Sequence, residues 1–452
     1  MNETRKLAQF VSETKFTDLP AEVVEKCKIY VLDSLACGFL GSVTPWAKIV
    51  ADLTHEMGGH KEASIFNQSW LTDVSRATLV NGVMIGAYEV EHIGHLSHPS
   101  GTVFPAALAI AEREHRDGPS FLLALALGYE VVCRIGEAQT MRVEKERGFH
   151  SPAINGPFGA ALTAGKLLDF NVENLTHAMG IAGSHSSGLI EFAWEGAMTK
   201  RLHLGRAAQL GLESALLAGS GFTGPSTILE GRYGYLQAYS PRPQLDRLLT
   251  DLGEDWLLLT LTMKTYCCHI HCQAIVQGIQ KFKQTEDIDP QRITRVSIIG
   301  NSQLIEERHL DTQPKTLLGA QYSIPFTVAV ALLNDMDNPL VYNEEVLHDP
   351  VVRQLASKVI VKEDAKRFGR YAGDPSVEII IETEGKPKII SVSELKGSVR
   401  QPYTFAETCV KFDNYTPMLT EKRRDEIKSS VENLSNLPDT AALAMLIRAE
   451  HD

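Results

Sequence analysis

The chain has 452 residues, 44% of them hydrophobic and 22% charged, enough for two or three domains of ordinary globular composition. Its 44 basic and 56 acidic side chains leave a net charge of −12, which argues against nucleic acid or an acidic membrane as partner. Any small anionic substrate would therefore need a local basic pocket inside a globally acidic molecule.

The N-terminal stretch "MNETRKLAQFVSETKF" reads as a short amphipathic helix without the apolar core of a secretory signal. Residues 19–41 form the first long helix, with Val24, Cys27, Val31, Leu35 and Phe39 on one face, Pro20 in the first turn and Asp18 as its cap. Helices follow at 104–118, 120–138, 158–170 and 205–222, rich in Ala and Gly and apolar around most of their circumference. The apolar run 121–129 is too short for a membrane span. After about residue 266 the texture changes. Segments 292–301, 356–364, 376–386 and 387–395 are β-branched and punctuated by turn residues, the last two as a hairpin about Glu384, Gly385 and Lys386. From Thr420 the tail is helical again. The expected fold is mainly α with an α+β second domain: a helical domain from residues 1–265 and 400–452, and an inserted α/β lid domain at 266–399.

Four windows carry chemistry. "YEVEHIGHLSHPSG" (88–101) gathers Glu89, Glu91, His92, His95 and His98, with Pro99 expected to keep the His98 region a loop. Its histidines and carboxylates suit metal ligation, metal-free catalysis or a plain polar loop. "RGFHSPAINGPFG" (147–159) sets His150 before a Gly-rich helix start, where free N–H groups can hold an anion. "TKRLHLGR" (199–206) spaces Lys200, His203 and Arg206 by three, either a carboxylate-binding row or a solvated basic face.

The fourth window, "KTYCCHIHCQ" (264–273), has zinc-ligand residue types but no paired spacing, and neighbouring side chains diverge, so its cysteines are read as packing. Seven cysteines without regular spacing suggest a reducing compartment. There is no G-x-S-x-G elbow, P-loop or dinucleotide fingerprint.

Taken in order, these windows, with "VLDSLACGFLGS" and "GAQYSIPFTVAVALL", resemble the MmgE/PrpD family end to end. The resemblance implies a helical domain with a smaller lid and an active site in the cleft between them. It also implies a homodimer acting without metal or other cofactor on a small anionic carboxylate. His98, His150, Lys200, Lys264 and Tyr322 match the family's catalytic positions, and His269 and His271 compete for one more. Glu89 and Glu91 stand where the family usually has aspartates, and with His95, His203 and Arg206 they are substrate-binding candidates. The expected function is a cytoplasmic lyase, 2-methylcitrate dehydratase first. Alternatives are a cis-aconitate decarboxylase, an iminodisuccinate-type epimerase, or a non-catalytic carboxylate binder.

Overall fold

The computed structural model describes residues 2–286, 288–368 and 376–449. Most of the described residues are helical, and among them there is one small mixed sheet. Helix α1 (Ala21–Ser42) is buried on every side from Cys27 to Ser42, as its lack of a polar face predicts. Its start differs from expectation. Pro20 is the cap position, and Asp18 closes a preceding turn by accepting from the Lys15 backbone N–H.

Helix α2 (Val74–Ile85) leads into the acidic segment. The helix expected at 104–118 stops at Arg113, because Asp117 caps α3 (Gly118–Gln139) by accepting from Ser120 N–H. Helix α4 (Ser151–Leu167) begins seven residues earlier than expected, with Pro152 in its first turn, where no N–H is needed. Helix α5 (Thr199–Gly219) packs along both α4 and α2. The approach to α2 is close enough that a Cβ on Gly82 would fall 2.6 Å from the Gly205 Cα, so small residues are obligatory at this crossing.

Helix α6 (Ile270–Thr285) starts the sheet-bearing part. Strands β1 (Arg295–Gly300), β2 (Val359–Glu363), β3 (Val377–Glu382) and β4 (Lys388–Val392) run in the order β2-β1-β3-β4. β1 and β2 are parallel and the remaining pairs antiparallel, with Val377 opposite Val392 in the hairpin. Along β3, Val377, Ile379 and Ile381 point inward against α6, the period of two written in "VEIIIE". Helix α7 (Ile324–Leu333) also packs on α6, and α8 (Phe405–Tyr415) returns to lie on α1. No single helix among the described residues is long and apolar enough to cross a membrane.

Candidate active site

The segment from Gly86 to Ser97 is an irregular strap, and its path is set by three non-glycine residues with left-handed backbone: Glu89 (φ 60°), His95 (φ 48°) and Leu96 (φ 55°). Such conformations cost on the order of 1–3 kcal/mol each and persist only where surrounding contacts hold them. For Glu89 those contacts are ionic. Its buried carboxylate takes a hydrogen bond from Lys200, near the start of α5, and lies 3.6 Å from the Lys264 ammonium. Lys264 also donates to the Glu89 carbonyl at 2.9 Å and approaches Glu91 to 3.7 Å.

His98 lies outside regular structure, as expected. It caps the short helix Pro99–Thr102, since a proline in the first turn starts a helix as readily as it ends one. Its Nδ1 lies 2.6 Å from Glu91, so the network assigns the proton to Nδ1 and leaves Nε2 as the free nitrogen. Burial alone would raise the Glu91 carboxyl. Lys264, the His98 hydrogen bond and Lys200 outweigh it and hold this group well below the usual carboxylate range. Burial lowers His98, and Glu91 only partly offsets it.

These groups open onto one cavity of about 180 Å³, lined by Glu89, His98, His150, Lys200, Lys264 and Tyr322 among others. His150 caps α4 and lies 3.2 Å, nitrogen to nitrogen, from His203. Burial, then His203 and Lys200, push His150 well below an ordinary imidazole. Tyr322 packs against His269 with the rings tilted by 39° and their centroids 4.4 Å apart, and Lys200 sits 5.8 Å over its ring. Burial and then Glu89 hold its hydroxyl well above the usual range. His269 and His271 both line the cavity, so the competition between them has no single winner.

Not every candidate converges. Glu91 is fully buried behind His98 and orients it instead of lining the cavity. His95 turns away to Glu137 and Thr260, each at 2.7 Å. His203 supports His150 from behind, and burial followed by Lys200 brings it down to about 4. Arg206 lies at the surface, donating to Gln209, because steps of three fall short of the 3.6-residue turn and the row winds around α5 and off the cavity. The row Lys200–His203–Arg206 is therefore not a carboxylate clamp. Cys267, Cys268 and Cys272 are packed in the core, with thiols of the first two pushed up by burial.

Sequence reasoning passed over several residues of the site. Lys411 on α8 donates to Asp33, to the Val90 carbonyl and to the Lys264 carbonyl, and Asp33 in turn holds His92, whose other nitrogen meets Tyr129. This buried cluster supports both the strap and the Lys264 backbone. Gln321 donates to the Tyr88 and Cys267 carbonyls, stitching the strap to the 264–269 segment. Arg308 and Gln303 also line the cavity. A charged residue in an apolar helix, such as Asp33, was the one signal the sequence offered.

Two family models cover most of the chain: the MmgE/PrpD N-terminal domain matches residues 5–248 and the MmgE/PrpD C-terminal domain residues 266–436. The chain is 26% identical over 475 residues to "Cis-aconitate decarboxylase-like protein oryM" of Aspergillus oryzae, covering 99% of this chain and 98% of that protein. It is 26% identical over 480 residues to cis-aconitate decarboxylase of Aspergillus terreus, covering 98% and 95%. It is 26% identical over 466 residues to the human cis-aconitate decarboxylase, covering 98% and 94%. The chain belongs to the MmgE/PrpD family.

Proposed function

We propose that this MmgE/PrpD-family chain is a lyase for a small di- or tricarboxylate, and that its reaction is loss of CO2 from cis-aconitate or a close analogue. The names carried by its near-full-length relatives move decarboxylation ahead of the 2-methylcitrate dehydration expected from sequence. The observation that carries the reading is the convergence of the Glu91–His98 pair, the Lys200 and Lys264 ammonium groups, His150 and Tyr322 on one cavity.

In decarboxylation one C–C bond breaks and its electron pair stays on a carbon conjugated with the double bond. CO2 leaves uncharged, so the total negative charge of the ligand is unchanged until a proton arrives. Lys200 and Lys264 are fixed before the substrate enters by Glu89 and Glu91, so stabilising the migrating charge requires little reorganisation. Tyr322, protonated at neutral pH, and His98, held by Glu91, are the candidate proton carriers. The sheet-bearing part acts as the lid that keeps water from the carbanion. None of these steps is routed through a metal, and the working unit is a homodimer.

The test uses purified chain with cis-aconitate, 2-methylcitrate, citrate and iminodisuccinate, following CO2, unsaturated product and optical rotation. CO2 from cis-aconitate is the expected result. Alkene from 2-methylcitrate without CO2 would reassign the chain as a hydro-lyase. Racemisation of iminodisuccinate alone would reassign it as an epimerase, and no turnover of any of the four would refute the lyase reading.

A further inference from the structure

His269 and His271 line the cavity, and a third imidazole meets theirs. His269 is the cap residue of α6 and His271 its second residue. Two positions apart in a formed helix they would diverge, but the backbone at His269 is still extended (ψ 151°), and the rings lie 4.9 Å apart. The third ring, His309, comes from a turn at Glu307–His309 and lies 4.7 Å from His269 and 5.1 Å from His271. One nitrogen from each of the three falls within 4.8 Å of the other two. No local spacing in the sequence marks this set, because His309 stands far along the chain from His269 and His271.

The chemistry of the nitrogens is that of a ligand set. His309 Nδ1 donates to the Tyr322 carbonyl at 3.1 Å, which fixes the tautomer and leaves Nε2 as a lone pair. That Nε2 is buried and has no hydrogen-bond partner among the described residues, and neither does His269 Nδ1. A backbone carbonyl holding the far nitrogen is the usual outer support of a metal-binding histidine. Burial comes first in lowering all three imidazoles, neighbouring rings follow for His269 and His309, and Arg308 acts on each, so the neutral form that binds metal is favoured. The Glu306 carboxylate lies 3.9 Å from His309 Nε2, tied to Lys145 and Arg308 at 2.9 Å each.

We propose that His269, His271 and His309 form a binding site for a first-row transition ion of the zinc type, whose fourth position opens to the cavity. An ion bonded to each nitrogen at about 2.0–2.1 Å needs nitrogens about 3.4 Å apart, so the rings close by roughly 1 Å on binding. Because His269 is also packed against Tyr322, occupation inhibits turnover: the ion holds His269 and sets a charge beside the substrate cavity. This consequence rests on the lyase reading; the binding does not.

The experiment adds Co2+ to chelator-treated full-length chain, reading visible absorption and equilibrium dialysis, and then Zn2+ during turnover. One Co2+ per chain in a tetrahedral spectrum is expected, with affinity falling at least about a hundredfold in His271→Ala and in His309→Asn, which keeps a donor for the Tyr322 carbonyl. Zn2+ should inhibit the wild type reversibly, and inhibition should need at least about a hundredfold more Zn2+ in His309→Asn, whose residue does not line the cavity. Absence of stoichiometric binding, or equal binding by wild type and both folded variants, overturns the site. Tight binding with undiminished turnover overturns the inhibitory role. Tight binding in a chain that turns over none of the four acids supports the site and counts only against the lyase reading.

Discussion

Replacing Glu91 by Gln separates the two tasks of the acidic strap. The amide still accepts from His98 Nδ1, so the geometry at 2.6 Å survives while the charge is removed. Glu91 lies 3.7 Å from the Lys264 ammonium, and at an effective dielectric near 20 such a pair is worth about 4 kcal/mol. Glu89 remains 3.6 Å from the same ammonium, so the net cost to folding is smaller, about 1–3 kcal/mol. The cavity gains one net positive charge, and an anionic substrate binds more tightly, so KM falls. His98 loses the carboxylate that opposed its burial, so its basicity drops further. If it carries the proton, kcat falls about a hundredfold or more, and the pH profile of kcat moves acidic by about one unit. Steady-state kinetics across pH 5–9, as a rough range set by the imidazole and carboxylate values, measure all three quantities. An unchanged kcat with a raised KM would refute the reasoning, since it would make Glu91 a direct substrate ligand.

The other expectations can be checked on the same preparation. Lys264→Met leaves the Glu89 and Glu91 carboxylates short of a buried cation; unfolding in urea should show a loss of about 3–5 kcal/mol, together with turnover below detection. Arg206→Ala, at the surface beyond the cavity, should keep kcat/KM within about twofold of wild type, against the role suggested by its spacing. His203 is held down to about 4 from an ordinary 6.5 by burial and then by Lys200. The unfolded chain therefore takes up this proton first as pH falls, and stability on the order of 3 kcal/mol is lost between pH 6.5 and 4. Melting temperatures across that window should fall less steeply in His203→Gln than in the wild type.

Much of the architecture was legible from local patterning. The predominantly apolar character of residues 27–42 announced a central helix, and "VEIIIETEGKPKIISV" announced a hairpin with its turn, because burial and strand alternation are written residue by residue. Helix ends were less legible. Asp18, Pro20, Pro99 and Asp117 are each compatible with more than one role, and the competing element nearby decided which role each took.

The sequence by itself determined which chemical groups were available, in what order, and that their order resembles the MmgE/PrpD family. Tertiary structure decided which of those groups face one another. It placed Glu91 behind His98, turned His95 and Arg206 away, and compensated both lysines with the chain's own carboxylates. It also brought His309 to His269 and His271, and Lys411 to Asp33 and the Lys264 carbonyl. The physical reason is that side-chain direction depends on the backbone's exact path through non-repeating segments. A left-handed Glu89 or an extended His269 redirects a side chain with no periodic signal, and only the packed chain makes that conformation stable.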